Sequence, residues 1–223
     1  MSASVAGRAG AVWALVPVKA FSQAKSRLSF ELGPRERAAF ARALFEHVLD
    51  VLAPCGELGG TLVVTSCPEV TSLARARGAA VVADAVPEGL GLIVDGGLCE
   101  LAARGAGGAL VLMSDLPLFS AAELHRLLEL MRRHPLVVAP DDRAEGTNAL
   151  GVSPPSRLST FFGRADSFEC HRREAAARGL DVGILRSPGL GFDVDGPDDL
   201  ARLRARGRWL GSTGVDPAEA GTR

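Results

Sequence analysis

Apolar runs alternate with helical patterns along most of the chain. Runs of strand length occur at 11–18, 61–65, 79–83, 109–113 and 136–139. Between the first two runs, Pro34 opens a segment in which Phe40, Leu44, Val48 and Leu52 form an apolar stripe at helical spacing. This alternation predicts a single-domain, Rossmann-like α/β fold with a mostly parallel sheet and helices on both faces.

Capping residues and shorter patterns predict the remaining elements. Ser120 followed by Glu123 is a capping box that starts a helix. Asp166 or Ser167 starts a helix that ends near residue 178, and Pro197 starts one that ends near residue 206. Further helices are predicted at 68–77 and 92–104, and further strands at 148–153 and 181–185. Ligands of such sheets bind at the carboxyl ends of the strands, so the loops after strands one, four and five are expected to carry the chemistry.

Composition excludes several classes of protein. The formal net charge is −1, which gives no basic excess for nucleic acid, and every apolar run is shorter than a membrane span. The sequence therefore predicts that the protein neither binds nucleic acid nor associates with a membrane. The four cysteines form no C-x-x-C pair and no cluster with histidine, which argues against a zinc site or a disulfide framework. This usage predicts a reducing, cytoplasmic location.

The loop after the first strand concentrates positive charge. Of 25 basic residues only Lys19 and Lys25 are lysines, and both lie in this loop beside Ser26 and Arg27. Three cations and a hydroxyl at the ligand edge suit the binding of phosphates. The loop matches neither a P-loop nor a dinucleotide fingerprint, and an ordinary solvated basic loop explains it equally well.

Aspartates mark two other loops. Asp115 follows the fourth strand, where it is placed to bind Mg²⁺ or, alternatively, to make a turn. Asp193 and Asp195 alternate along an extended segment, so their carboxylates point to one side. Such a pair is unfavourable without a cation, and we expect it to bind metal. The following Asp198 and Asp199 are expected to serve the first turn of the last helix.

Two further segments are candidates for anion binding. Thr147 lies between Gly146 and Asn148 after the fifth strand, where the backbone can approach a small anion beside a hydroxyl. The segment 162–171 precedes and enters a helix whose first N–H groups could hold a phosphate or carboxylate. A simple turn and a helix cap are the respective alternatives.

Five motifs, in order, resemble the guanylyltransferases of coenzyme F-420 biosynthesis, whose fold is similar to that of nucleotide-diphospho-sugar transferases. They are P-V-K-x₄-A-K-S-R-L, D-L-P-L, G-T-N-A-L, F-G…S-F-x-x-H and F-D-V-D-x-P-x-D-L, and they span roughly Ala11 to Leu203. Each motif is weak alone, but five in order are specific. The resemblance implies transfer of GMP from GTP to the phosphate of 2-phospho-L-lactate, phosphoenolpyruvate or 3-phospho-D-glycerate, with Mg²⁺.

The resemblance also implies roles for individual residues. The Mg²⁺ ligands would be Asp115, Asp193 and Asp195. The small-acid pocket would comprise Thr147, Gly163 and Ser167. The catalytic cations of the nucleotide phosphate loop would be Lys19, Lys25 and Arg27. Residues 1–210 would form the nucleotidyltransferase domain, and residues 211–223 a flexible tail. The expected partners are GTP and a phospho-acid. The oligomeric state stays open, and a homodimer is one of the possibilities.

One departure from the family pattern affects the choice of base. Members often carry Gly-Leu-Asn where the purine is expected to dock, whereas Gly89–Gly97 contains no asparagine. A nucleotidyltransferase of cytidylyl or molybdopterin type, or a non-catalytic nucleotide-binding domain, therefore remains an alternative.

Overall fold

A computed structural model of the protein describes residues 10–84 and 89–206; the predicted tail, 211–223, lies outside them. The strands are β1 (Val12–Pro17), β2 (Leu58–Val64), β3 (Ala80–Val82), β4 (Gly108–Leu112), β5 (Leu136–Pro140), β6 (Thr147–Val152) and β7 (Val182–Ile184). The helices are α1 (Pro34–Leu52), α2 (Pro68–Ala76), α3 (Leu90–Ala103), α4 (Ala121–Met131), α5 (Ser167–Ala177), α6 (Pro188–Gly191) and α7 (Pro197–Ala205). The short α6 is the one helix of this set that the sequence patterns did not predict.

The strands form one sheet in the order β3-β2-β1-β4-β6-β5-β7. Only β6 runs antiparallel to its neighbours in this sheet. A parallel connection needs a crossover of a dozen or so residues, and the segment 141–146 is too short for one. Consequently β6 reverses direction, and it begins at the edge where the other strands end.

Alternation along the strands supplies two layers of core. On β1, Ala14 and Val16 pack on the face covered by α1, α2 and α4. Trp13 and Leu15 pack on the opposite face, against α3 and α5. This is the pleat expected of a strand buried on both sides. The predicted α/β fold with helices on both faces is confirmed.

A third apolar cluster fixes the position of two functional loops. It joins the loop after β1, helix α1, the segment before α7 and α7 itself, through Leu28, Leu32, Phe40, Leu44, Phe192, Val194, Leu200 and Leu203. Phe192 and Val194 are buried in this cluster. Because side chains alternate along an extended chain, Asp193 and Asp195 lie on the other side of the segment.

Helix caps follow the predictions at α4 and α7. The Ser120 backbone N–H donates to Glu123 Oε2 at 3.0 Å, which completes the predicted capping box. Asp199 Oδ2 accepts the backbone N–H of Asp195 at 3.2 Å and that of Gly196 at 2.9 Å. The expected capping role of Asp199 is confirmed, and this cap also holds the backbone of Asp195.

The start of α5 differs from the prediction in detail. Asp166 occupies the N-cap position but makes no side-chain capping bond. Its carboxylate instead accepts a hydrogen bond from Arg164 Nε at 2.9 Å.

In the described ranges, no helix combines the length and hydropathy required to cross a bilayer.

Candidate active site

Two clefts open at the carboxyl ends of the parallel strands. The first cleft has a volume of about 530 Å³, and its lining includes Asp115, Thr147, Gly163, Ser167, Asp193 and Asp195. The second cleft has a volume of about 720 Å³, and its lining includes Lys19, Thr65, Ser66, Asp84, Leu90 and Asp115. Asp115 and Leu90 line both. The structure thus provides two adjoining compartments that share a carboxylate.

Three carboxylates meet at this junction. Asp115 comes from the loop after β4, and Asp193 and Asp195 from the segment before α7. Each offers one oxygen atom, and the three oxygens lie within 4.8 Å of one another. The structure therefore brings together the three residues that the sequence analysis expects to bind metal, although 78 residues or more separate Asp115 from the other two.

Lys25 closes one side of the carboxylate cluster. Its Nζ lies 2.6 Å from Asp115 Oδ2 and 3.2 Å from Asp195 Oδ1, and its side chain is 7% exposed. Burial alone would lower the pKa of Lys25, but the charges of Asp115 and Asp195 and the hydrogen bonds to them outweigh burial and raise this pKa. The residue has a φ of 55°, a left-handed conformation that is costly for a side chain other than glycine. The fold holds a charged ammonium here despite that cost.

Both burial and the neighbouring carboxylates disfavour the charged form of Asp193. Burial, and then the charges of Asp115 and Asp195, raise the pKa of Asp193 to about 6, against a smaller effect of the Asn148 amide. Asn148 Nδ2 donates to Asp193 Oδ1 at 3.3 Å. Hard oxygen ligands and crowded negative charge suit a divalent cation such as Mg²⁺, so the residues present fit the expected metal.

The other side of the first cleft is neutral and buried. Ser167 Oγ donates to Thr147 Oγ1 at 3.3 Å, and Thr147 Oγ1 lies 3.1 Å from His171 Nδ1. Thr147 stands at the start of β6, and the other two side chains come from the first turns of α5. Thr147 and Ser167 belong to the lining of the first cleft, and the fully buried His171 lies beside them.

His171 is fixed on all sides. The imidazole is fully buried, and the rings of Phe161 and Phe162 pack edge-on against it at centroid distances of 5.5 and 5.2 Å. The backbone N–H of Phe161 donates to His171 Nε2 at 2.9 Å. Burial lowers the pKa of His171 to about 4, although a hydrogen bond to the backbone of Ser167 works in the opposite direction. The ring is neutral at physiological pH.

Gly163 lies in the loop before α5, at the mouth of the same pocket. Its φ of 87° is in the region that favours glycine, and a Cβ atom there would lie 3.3 Å from Leu90 Cβ. The loop therefore passes close to the start of α3. This close passage places the Gly163 backbone in the lining of the first cleft, with Thr147 and Ser167.

The two remaining basic residues of the predicted set lie nearer to solvent. Lys19 is exposed and lines the second cleft. The Arg27 side chain is 77% exposed, and its Nη1 lies 3.6 Å from Asp195 Oδ2. The structure therefore separates the three: Lys25 is buried against carboxylates, whereas Lys19 and Arg27 stand at the openings of the second and first clefts.

Sequence reasoning assigned no role to two residues of this region. Asn148 Nδ2 bonds to the Leu190 carbonyl at 2.9 Å as well as to Asp193, so it supports the carboxylate cluster. His171 supports the two hydroxyls. Both lie inside two of the family motifs, G-T-N-A-L and S-F-x-x-H. A polar residue in an otherwise apolar segment was the feature of the sequence that could have indicated a role for each.

The segment 89–97, which departs from the family pattern, forms the start of α3. Leu90 borders both clefts. Asp95 Oδ1 accepts the backbone N–H of Thr160 at 2.8 Å, so this carboxylate anchors the loop that leads to Gly163. The segment that lacks the family's asparagine thus borders both clefts, and its acidic side chain has a structural partner.

Comparisons with known proteins find relatives that match most of the chain. The model of the family described as guanylyl transferase CofC like matches residues 12–210. The chain is 41% identical over 199 residues to the phosphoenolpyruvate guanylyltransferase of Rubrobacter xylanophilus, with 88% of this chain and 95% of that protein covered. It is 36% identical over 212 residues to the phosphoenolpyruvate guanylyltransferase of Sphaerobacter thermophilus, with 94% and 98% covered. It is also 36% identical over 197 residues to the 3-phospho-D-glycerate guanylyltransferase of Phenylobacterium zucineum, with 87% and 89% covered.

Solved structures share the fold at lower identity. A crystal structure described as a nucleotide-diphospho-sugar transferase of Desulfovibrio desulfuricans matches with a TM-score of 0.76 and 17% identity, covering 94% of this chain and 93% of that one. The Rv0371c protein of Mycobacterium tuberculosis in complex with manganese matches with a TM-score of 0.53 and 20% identity, covering 88% and 98%. These matches establish the architecture.

Proposed function

Because the chain belongs to the guanylyl transferase CofC like family, we propose that it joins GMP from GTP to the phosphate of a small phospho-acid and releases pyrophosphate. We propose phosphoenolpyruvate as the acceptor, since the relatives from Rubrobacter and Sphaerobacter carry that name. The product would enter coenzyme F-420 biosynthesis. The four free cysteines are consistent with a cytoplasmic site for this reaction.

The observation that carries the proposal is the carboxylate junction between two clefts. A transfer between two anions needs two neighbouring compartments and positive charge where they meet. Asp115 lines both clefts, and Asp193 and Asp195 lie within ligand distance of it. The phospho-acid would occupy the first cleft, beside the hydroxyls, and GTP the second, beside Lys19.

The reaction needs no side chain as a general base. An oxygen of the acceptor phosphate attacks the α-phosphorus of GTP, the bond from that phosphorus to the bridging oxygen breaks, and pyrophosphate leaves. A phosphate monoester has a second pKa near ~6, so the attacking group is already largely deprotonated at neutral pH. His171 fits this scheme because its buried Nε2 accepts a backbone N–H and is not directed at the cleft.

The chain's own residues therefore bind the two substrates and neutralise the negative charge of their phosphates. Asp115, Asp193 and Asp195 would hold Mg²⁺, which when bound supplies charge neutralisation between the two phosphates. Lys25 keeps Asp115 and Asp195 in place at the junction. Lys19 and Arg27, at the cleft openings, would bind the triphosphate and the departing pyrophosphate.

The test is a pyrophosphate-release assay with purified protein, Mg²⁺ and GTP. Phosphoenolpyruvate, 2-phospho-L-lactate and 3-phospho-D-glycerate are supplied in separate reactions, and phosphoenolpyruvate is expected to give the highest kcat/KM. The same reactions with ATP, CTP and UTP test the base, because Gly89–Gly97 lacks the family's asparagine. Faster release with CTP would favour a cytidylyltransferase. GTP binding without pyrophosphate release from any acceptor would favour a non-catalytic nucleotide-binding domain.

A further inference from the structure

The direction of the hydrogen bonds around His171 follows from its partners. A backbone N–H can only donate, so His171 Nε2 accepts the bond from Phe161 and carries no hydrogen. The hydrogen of the neutral imidazole is therefore on Nδ1, which lies 3.1 Å from Thr147 Oγ1. Phe161 and Phe162 hold the ring in this orientation. Thr147 therefore cannot donate to the histidine, and the Nδ1 hydrogen is shared between Thr147 Oγ1 and the backbone carbonyl of Ser167.

A count of the hydroxyl hydrogens shows that, among the described residues, the pair formed by Thr147 and Ser167 has one hydrogen without a partner. Their oxygens are 3.3 Å apart, so one hydroxyl donates to the other. In residues 10–84 and 89–206, neither hydroxyl has another hydrogen-bond partner. Since His171 takes no hydrogen from the pair, one hydroxyl hydrogen is left over. Both residues line the first cleft, so this hydrogen is available to a ligand there.

The chemistry of the remaining donor selects an anion. Phosphate and carboxylate oxygens accept hydrogen bonds, and a site that offered them a lone pair would repel them. With the ring hydrogen on Nε2, Thr147 would donate inward and present lone pairs to the cleft. The buried, neutral imidazole prevents this arrangement without adding a charge of its own.

We infer that His171 is a positioning residue for the phospho-acid: it fixes the hydrogen-bond direction of Thr147 and Ser167 so that the pair donates to an anionic group of the acceptor. The inference rests on the proposed function, because it assigns the first cleft to the acceptor. It assigns His171 no contact with the substrate and no proton transfer.

A double-mutant cycle tests the inference. His171→Gln keeps an acceptor for the Phe161 N–H but removes the donor at Nδ1, and Thr147→Val removes the hydroxyl at nearly constant shape. His171→Gln is expected to raise the KM for phosphoenolpyruvate roughly ten- to a hundredfold, the loss of one hydrogen bond to a charged group, with the KM for GTP within about twofold. The double variant is expected to match Thr147→Val alone, because His171 acts through Thr147. His125→Gln, on the exposed surface of α4, is the matched control.

Two results would overturn the inference while the proposed function stands. One is that the fold-increases in KM from His171→Gln and Thr147→Val multiply in the double variant. The other is that the KM values for GTP and phosphoenolpyruvate rise together. Should His171→Gln fail to fold, nitrogen-resolved NMR of the wild-type imidazole decides the matter, since a ring hydrogen found on Nε2 contradicts the argument.

Binding measurements separate the inference from the proposed reaction. Calorimetry with phosphoenolpyruvate alone reports the first cleft without turnover. Wild-type protein that binds phosphoenolpyruvate but releases no pyrophosphate, with binding lost in His171→Gln, would support the positioning role and refute the reaction. Wild-type protein that neither binds nor converts any of the three phospho-acids would refute both.

Discussion

On one side of the first cleft, three carboxylates and the ammonium of Lys25 crowd within a few ångströms, and Asp193 has a pKa raised to about 6. On the other side, Thr147, Ser167 and His171 form an uncharged chain of hydrogen bonds that is almost wholly buried. Both sides stand at the edge of the same sheet, and both receive a side chain from the first two residues of β6.

The two sides divide the work of binding two anions. The carboxylate side carries excess negative charge, so a cation is expected to bind there and neutralise it. The hydroxyl side is already satisfied apart from one donor, so it is preformed for its ligand. Substitutions on the carboxylate side should therefore reduce turnover more than stability, and changes at His171 should affect both acceptor binding and the fold.

The strongest test of this contrast is Asp193→Asn. The amide keeps an oxygen near the Asn148 donor but removes a ligand charge, so turnover is expected to fall about a thousandfold. Without divalent metal, the melting temperature should stay level or rise, because a crowded charge is gone. Pyrophosphate release and thermal unfolding with and without Mg²⁺ measure both effects.

Asp50→Asn is the matched control, since Asp50 pairs with Arg77 outside both clefts. Mg²⁺ should raise the melting temperature of this control as it does that of the wild type, but not that of Asp193→Asn. Near-normal turnover in Asp193→Asn would remove this residue from the metal site.

Lys25→Met comes next in expected size. The substitution keeps the length of the side chain but removes the charge between Asp115 and Asp195, and turnover is expected to fall about a hundredfold. The metal-free protein should also lose stability, because two partly buried carboxylates lose their partner. Saturating Mg²⁺ should restore part of the melting temperature. Lys19→Met changes an exposed lysine of the same loop, so it should lower turnover and melting temperature less than Lys25→Met does. Equal decreases in the two variants would show that the buried position of Lys25 has no special role.

Acid should weaken the hydroxyl side through His171. Its pKa is about 4 in the fold, against about 6.5 in an unfolded chain, so the unfolded state binds the extra proton between these values. This contribution to stability is complete above pH 6.5 and is lost as the pH falls toward 4, by roughly 3 kcal/mol. Urea unfolding of the wild type and of His171→Gln across this range measures it. Parallel stability curves for the two proteins would show that His171 does not titrate as described.

The smallest expected effect on stability is at Arg27. Its contact with Asp195 is long and its side chain is exposed, so Arg27→Gln should change the free energy of unfolding by no more than about 0.5 kcal/mol. Urea unfolding is the measurement. A loss above about 1 kcal/mol would mean that the carboxylate side depends on this exposed cation for folding.

Local patterns in the sequence were enough to predict much of the fold. The capping box of Ser120 and Glu123 depends on residues three apart, and the structure contains it. The alternation in 192–195 predicted two carboxylates on one side, and the burial of Phe192 and Val194 explains why they lie there. In each case the physics acts over a few neighbouring residues.

Contacts between distant segments could not be predicted in the same way. Lys25 was expected to bind phosphates, and nothing local indicates that it reaches carboxylates 90 and 170 positions away. The partner of His171, Thr147, lies 24 residues before it on another element. These pairings are set by the order of strands and by the third apolar cluster, which single motifs do not specify.

The reversed strand β6 limits how this protein can change over evolution or be redesigned. Thr147 and Asn148 are neighbours on β6, and one serves the hydroxyl side while the other serves the carboxylate side. If a residue gained or lost in the short connection 141–146 shifted the register of β6 by one, every β6 side chain would move to the opposite face of the sheet. The hydroxyl and the amide would then exchange sides, so this connection is expected to tolerate changes in composition better than changes in length that shift the register.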